Sequence, residues 1–306
     1  MPRLSRFQIL NNSKKNIIKE LKKYNRNVYN MRNIEGLLSN LKTLNLISKI
    51  TTTFNLLDFL ITNNIFEKVS FVFGSNASTP TKSISRYAFC EKKVSFFEIA
   101  ISINVNSYLT HYSAMYIHEL TDNVPKIIYT NFEQTPKYRD DDSEFLYQDN
   151  IDKAFKRPMR TTNQIAKIKD SIYSTYFLNG KNVNKIGVVE LNYNNSKIKV
   201  TNLERTLIDI TVRPAYSGGV NEVLNAYILA KDRISTNKLI AILKKMDYIY
   251  PYHQAIGFYM ERAGYNEKSL ILLEKLPIKY NFYLTYQMKT KLYSDRWHLF
   301  FPEELN

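Results

Sequence analysis

Apolar residues recur at helical intervals three times before residue 65. Ile17, Ile18 and Leu21 fall on one side of Ser13–Lys23, with basic groups around the rest and Ser13 placed to cap the N-terminus. Leu37, Leu38 and Leu41 predict a second helix over Ile34–Lys42, which Thr43-Leu44-Asn45 breaks. Ile50, Phe54, Leu57 and Ile61 predict a third over Ser48–Thr62 and leave Lys49, Thr52 and Thr53 outside. The period then changes to two. Lys68–Phe73 and Ile84–Phe89 read as strands about the turn-rich stretch Gly74–Lys82. Helices followed by a hairpin are the order of a winged helix-turn-helix, whose third helix enters the major groove while the hairpin tip touches phosphates.

Residues 94–105 (VSFFEIAISINV) predict a further strand or a buried helix that closes this unit. Beyond them, Tyr108–Leu120 reads as a helix and Lys126–Asn131 as a strand. Asp140-Asp141-Asp142 sits in a loop, and Val188–Tyr193 and Lys197–Thr201 make a hairpin around Asn194-Asn195. Helices follow over Leu203–Thr211, Val220–Ala230, Thr236–Lys245 and Gln254–Ala263, then a strand at Lys279–Tyr286. Strands and helices mix without regular βαβ alternation or a fixed repeat. The expected fold class is α+β: an N-terminal winged helix-turn-helix over 1–105, followed by a mixed α/β domain over 106–306.

Charge sharpens this division. The 306 residues carry 43 Lys and Arg against 28 Asp and Glu. Residues 1–105 hold 16 basic and 6 acidic groups, whereas 106–306 hold 27 and 22. Coding bias explains many of the lysines but not their clustering at one end, which is the footprint of a polyanion partner, nucleic acid before an anionic membrane. Lys14, Lys15, Lys19, Lys22, Lys23, Lys82 and Arg86 are expected at phosphates. Lys49, Thr52, Thr53 and Asn55, near the start of the third helix, are expected at base edges.

Catalytic signatures are absent. There is no GxxxxGK[ST], and with 8 glycines in the chain no glycine-rich phosphate-cradling loop is expected. His111, His118, His253 and His298 form no HExxH; His111 and His118, seven apart beside Glu119, make a weak metal pair at best. Cys90 is expected as a buried, inert thiol in a strand, and the Asp140–Asp142 triple as a solvated turn. No nucleophile-plus-base set emerges, so no catalytic residue, cofactor or metal is expected. With no apolar run near 18 residues and no apolar leader in MPRLSRFQILNNSKK, a cytoplasmic protein without a membrane partner is expected.

Two segments carry more pattern than a generic core. One is Tyr108–Pro125, YLTHYSAMYIHELTDNVP; the other is Val200–Pro214, VTNLERTLIDITVRP. In the second, Thr201 or Asn202 can cap a helix with Glu204 in its first turn and a buried stripe of Leu203, Leu207 and Ile210. Arg205 and Asp209 stand at i, i+4, where an ion pair forms. A domain-internal salt-bridge network and a binding site both fit.

The run TNLERTLIDITVRP, with Ala215–Val220 after it, resembles the ERTLLD-type motif of AbiEi antitoxins, and LTHYSAMYIHELTDNVPK resembles that family's helix with a Ser-Ala pair and a His. Phe282–Tyr286 and Trp297–Phe300 are similar in character to its closing strands, so the likeness spans about residues 107–302. The resemblance implies a type IV toxin–antitoxin protein of phage defence. Its winged helix would bind operator DNA and repress its own operon. Its C-terminal domain would counteract a nucleotidyltransferase toxin, typically without a tight complex, with Glu204, Arg205, Asp209 and Arg213 as the polar groups for that task. Two other classes stay open: an enzyme acting on nucleic acid or on a phosphorylated product of the toxin through that cluster, and an interaction module whose basic arm engages RNA, a ribosome or a phage component.

Overall fold

A computed structural model describes residues 4–74, 82–136, 146–194 and 196–306. The chain begins with α1 (Arg6–Asn12), α2 (Lys14–Lys23), β1 (Val28–Tyr29), α3 (Met31–Thr43), α4 (Thr53–Thr62), β2 (Phe66–Phe73), β3 (Lys82–Phe89) and α5 (Phe96–Ile101). Next come β4 (Tyr108–Leu109), α6 (His111–Ile117), β5 (Ile127–Asn131), α7 (Gln148–Lys156), β6 (Ile165–Ile168), β7 (Ser174–Leu178), β8 (Val188–Tyr193) and β9 (Ser196–Thr201). The remainder is α8 (Leu203–Val212), α9 (Val220–Ala230), α10 (Thr236–Met246), α11 (Tyr252–Arg262), α12 (Glu267–Glu274), β10 (Phe282–Tyr283), β11 (Lys291–Ser294) and β12 (Leu299–Pro302). The fold is mixed α+β. Among the described residues, no helix is long and apolar enough to cross a membrane.

Two compact units emerge. The first is Met1–Val105 together with Ala166–Ser174 and Asn192–Ser196; the second holds Asn106–Ile165, Thr175–Leu191 and Lys197–Asn306. The division at 105 read from the charge does not include the two later segments.

In the first unit, β2 and β3 form the hairpin in full register from Phe66↔Phe89 to Phe73↔Lys82. β1 pairs with the outer side of β3, and β6 with that of β2, where Ile168 faces Phe71. Phe96 stacks on Tyr173 with centroids 4.1 Å apart, and Asn27 donates to Ser196 Oγ at 2.6 Å. Leu10, Ile17, Leu21, Ile34, Leu37 and Leu41 pack with Leu56, Leu60, Phe66 and Phe89 into the core. Asn30 and Asn33 form a capping box that starts α3.

The third helix differs from its expected form. Thr52 and Asn55 close a capping box, so α4 begins at Thr53 instead of Ser48. The face it buries is Leu56, Leu57, Phe59 and Leu60, while Ile50 and Phe54 are 72% and 74% exposed. Residues 94–105 contain α5, a helix capped by Ser95 and Glu98. Cys90 is exposed in a turn after β3, which corrects the expected buried thiol.

The second unit lays out its strands in the order β7-β5-β4-β9-β8, with β4 antiparallel to β5 and parallel to β9. A smaller sheet runs β10-β12-β11. The segment expected as one helix over Tyr108–Leu120 is a strand and then a helix, because Thr110 is extended and His111 turns left-handed at φ +50°. α8 is the hub. Glu204 through Val212 are all buried, so the expected one-sided stripe becomes a helix enclosed on every face, with its polar groups bonded inside. Thr206 bonds Thr201 at 2.8 Å, and Thr211 bonds Tyr227 at 2.7 Å. Around it α9, α10, α11 and α12 build the larger core with Tyr227, Tyr259 and Trp297. The Asp140–Asp142 triple and Asn195 lie outside the described residues, as do positions 75–81 of the stretch expected to turn the first hairpin.

Candidate functional site

A cavity of about 440 Å³ opens in the second unit beside α8. Asn202 caps that helix, its Oδ1 accepting from Arg205 N at 2.9 Å. This sets Arg205, Asp209 and Arg213 at four-residue intervals down one side, all three on the cavity wall. Arg205 Nε donates to Asp209 Oδ1 at 2.7 Å, with both side chains 6% exposed, and Arg205 Nη1 donates to Ile186 O at 2.9 Å. Burial opposes the Arg205 charge, but Asp209 prevails and raises its pKa.

The other Asp209 oxygen accepts from Thr110 Oγ1 at 2.9 Å, and the same hydroxyl lies 3.0 Å from His111 Nδ1. A hydroxyl has one proton, and here it goes to the carboxylate. His111 Nδ1 must therefore be the donor to Thr110, which leaves the lone pair on Nε2. Burial pushes His111 down to about 4; Asp209 opposes this, and Arg213 and Arg205 reinforce it. At neutral pH the ring is uncharged. Its left-handed backbone costs about 1–3 kcal/mol, strain of the kind that collects where a side chain must be aimed.

The facing wall is the loop after β7. Glu133 fastens it, accepting from Val183 N at 3.1 Å and Lys185 N at 3.0 Å, while Asn131 Oδ1 accepts from Gly180 N at 2.9 Å. Lys181 reaches across it to Met246 O at 3.1 Å and Asp247 Oδ2 at 3.2 Å. Arg160, exposed, and Tyr216, whose hydroxyl accepts from Thr162 N at 2.7 Å, complete the rim. Arg213 is half-buried and has no side-chain partner among the described residues.

Of the four polar groups expected to act together, Arg205, Asp209 and Arg213 share this cavity. Glu204 does not. It is buried against α10, accepting from Lys238 at 2.8 Å and Ser235 N at 3.3 Å. Burial works against its charge, yet these donors hold its carboxyl below the usual value. Thr110 and His111 lie in a segment the sequence singles out, whereas Arg160 and Lys181 come from stretches with no periodic signal. His118 bonds Thr201 O at 2.6 Å instead of pairing with His111, and no cluster of metal-ligating side chains occurs among the described residues.

In the first unit, Lys15, Lys19, Lys49 and Lys82 are exposed. Lys22 and Lys23 are exposed but pair with Glu91 and Glu20, each at 2.5 Å, and Lys14 donates to Asn63 at 3.2 Å. Thr52 and Asn55 are engaged in the capping box and Thr53 is half-buried. Arg86 corrects the expectation of a phosphate contact. It is 8% exposed, and its guanidinium donates to Ser102 O at 3.1 Å, Ser85 O at 2.9 Å and Ile103 O at 2.9 Å.

No protein-family model and no curated protein sequence matches the chain. Among solved structures it is similar to the RV2827C protein from Mycobacterium tuberculosis, with a TM-score of 0.56 and 11% identity over 95% of this chain and 91% of that one. At that identity the likeness is one of fold alone.

Proposed function

We propose that this chain is a cytoplasmic DNA-binding antitoxin of the AbiEi type, repressing its own operon through the first unit and counteracting a nucleotidyltransferase-like toxin through the second. The observation that carries the DNA half is the set of exposed lysines on a small helix-and-hairpin unit, of which Lys15, Lys19, Lys49 and Lys82 stand clear of any carboxylate among the described residues. As a winged helix-turn-helix, this unit would place the start of α4 in the major groove and the β2–β3 hairpin against the backbone.

Because Thr52 and Asn55 serve the cap, base reading falls to Lys49 and to their exposed neighbours. Ile50 and Phe54 are apolar groups that water does not favour and that thymine methyl groups would cover. The second half rests on the ERTLIDITVRP motif, whose Arg205, Asp209 and Arg213 meet in one cavity.

The test is a gel-shift titration against the chain's own promoter. Duplex binding is expected at low salt, weakening with a log–log slope of about −4 to −5 if about five phosphates are neutralised. Absence of binding to that promoter at about 50 mM salt overturns the reading.

A further inference from the structure

We infer that the cavity beside α8 binds the phosphate group of a phosphorylated small molecule of nucleotide size. This goes beyond the antitoxin reading, which assigns no ligand to the second unit, and it does not depend on DNA binding by the first.

The argument begins with unbalanced charge. Arg160, Lys181, Arg205 and Arg213 all border the cavity, and Asp209 is the carboxylate among its described lining residues. Both Asp209 oxygens are already taken, one by Arg205 and one by Thr110. Lys181 has Asp247 beside it. What remains is Arg213, half-buried with no acceptor among the described residues, and Arg160 on the rim. A guanidinium drawn partly out of water without a counter-ion is unfavourable, and a bound anion removes that cost. Arg205 adds its Nη2, since Nε and Nη1 serve Asp209 and Ile186. The planar fork of a guanidinium matches the oxygens of a tetrahedral oxyanion.

The rest of the wall limits what is attached to that anion. A volume of about 440 Å³ exceeds what a bare phosphate fills and lies within the range of small-molecule sites. Tyr216 and Tyr248 offer ring surface, and neutral His111 offers a hydrogen-bond acceptor for a hydroxyl or amine. An organic phosphate with a polar, flat body satisfies both parts.

Thermal melting of the full chain with four probes tests this: inorganic phosphate, adenosine monophosphate, adenosine and succinate. Phosphate and the monophosphate are expected to raise the melting temperature, the monophosphate more, whereas adenosine and succinate leave it unchanged. Arg213→Gln is expected to weaken monophosphate binding at least about tenfold, the loss of one charged hydrogen-bonding group, while still shifting promoter DNA. Arg160→Gln, an exposed position that costs no folding, is expected to weaken it less. A Lys15→Ala/Lys19→Ala double variant is expected to keep the full shift. The proposal is overturned by no shift with millimolar phosphate or monophosphate, by an equal shift with succinate, or by a shift that survives Arg213→Gln and Arg160→Gln together. Loss of the shift in the lysine variant also overturns it, because the anion would then sit on the first unit.

Discussion

Gly187 lies against the stem of Arg205, so that a Cβ built on the glycine would come within 2.7 Å of the Arg205 Cβ. The glycine sits at φ +72°, and its carbonyl accepts from Asn202 N at 2.7 Å, tying the loop to the cap of α8. Gly264 has the same φ, but its nearest neighbour is the flexible end of Lys231 at 3.4 Å. Both alanine variants carry the left-handed backbone cost, and only Gly187→Ala adds a clash. Urea denaturation is expected to show Gly187→Ala less stable than Gly264→Ala by about 1–3 kcal/mol. Equal losses would mean that the approach to Arg205 is not tight.

Arg205 and Asp209 form a pair buried on both sides, and the two positions should respond as a pair. Arg205→Ala strands a buried carboxylate and is expected to cost about 3–5 kcal/mol. Replacing both with apolar residues, as in Arg205→Met/Asp209→Leu, is expected to recover most of that loss. Consequently, a failure of Arg205→Ala to rescue cells from a toxin would report lost folding. Arg213→Gln is the variant that separates function from fold.

His111 gives the second unit an acid-labile element. In the unfolded chain it takes up its proton near pH 6.5, and in the fold only near 4. Above pH 6.5 neither state binds the proton and the full stability is present. As the pH falls from 6.5 towards 4 the unfolded state alone is protonated, and stability is lost at up to about 1.4 kcal/mol per unit. Denaturation at pH 7 and pH 4.5 is expected to show a smaller acid loss in His111→Gln than in the parent. Identical losses would mean that the ring does not stay neutral in the fold.

Arg86 and the lysines of α2 should part company. Arg86→Ala removes three hydrogen bonds, two of which hold the end of α5 to β3, and is expected to lower stability by at least about 2 kcal/mol. Lys15→Ala and Lys19→Ala are expected to leave melting unchanged and to flatten the salt slope of duplex binding by about one unit each. An Arg86→Ala protein that melts normally yet binds DNA weakly would restore Arg86 to the phosphates.

Much of the second unit's helical layer was legible in its residues. α9 spans Val220–Ala230 as its pattern predicts, and α10 differs by a single residue at its end, because apolar spacing is regular in both and Ser235 caps α10. The hairpin of β8 and β9 was equally plain. Reading failed where a local bond outweighs periodicity. The Thr52–Asn55 box starts α4 later than Ile50 and Phe54 imply, and the left-handed His111 splits what reads as one helix. Within the site, α8 displayed its ion pair through i, i+4 spacing. Spacing cannot show that the helix is enclosed on all sides, nor that Arg160 and Lys181 return to it from segments lacking any pattern. Arg86 misled because a basic residue in a strand has the same appearance whether it meets phosphate or carbonyl groups.

The strand that completes the first unit beside β2 is encoded more than sixty positions after that unit's main segment ends. A gene fragment stopping at residue 105 would leave the outer side of β2 bare, with Phe71 deprived of Ile168 and Phe96 of Tyr173. Bare strand edges recruit other chains. The unit therefore cannot be traded between genes as a contiguous cassette. A crossover between residues 106 and 165 would join a β2 from one parent to a β6 from another, and their apolar faces would have to match for the recombinant to fold. Selection on such a gene acts on both units together, so a lineage that changes one must keep the interleaved segments of the other.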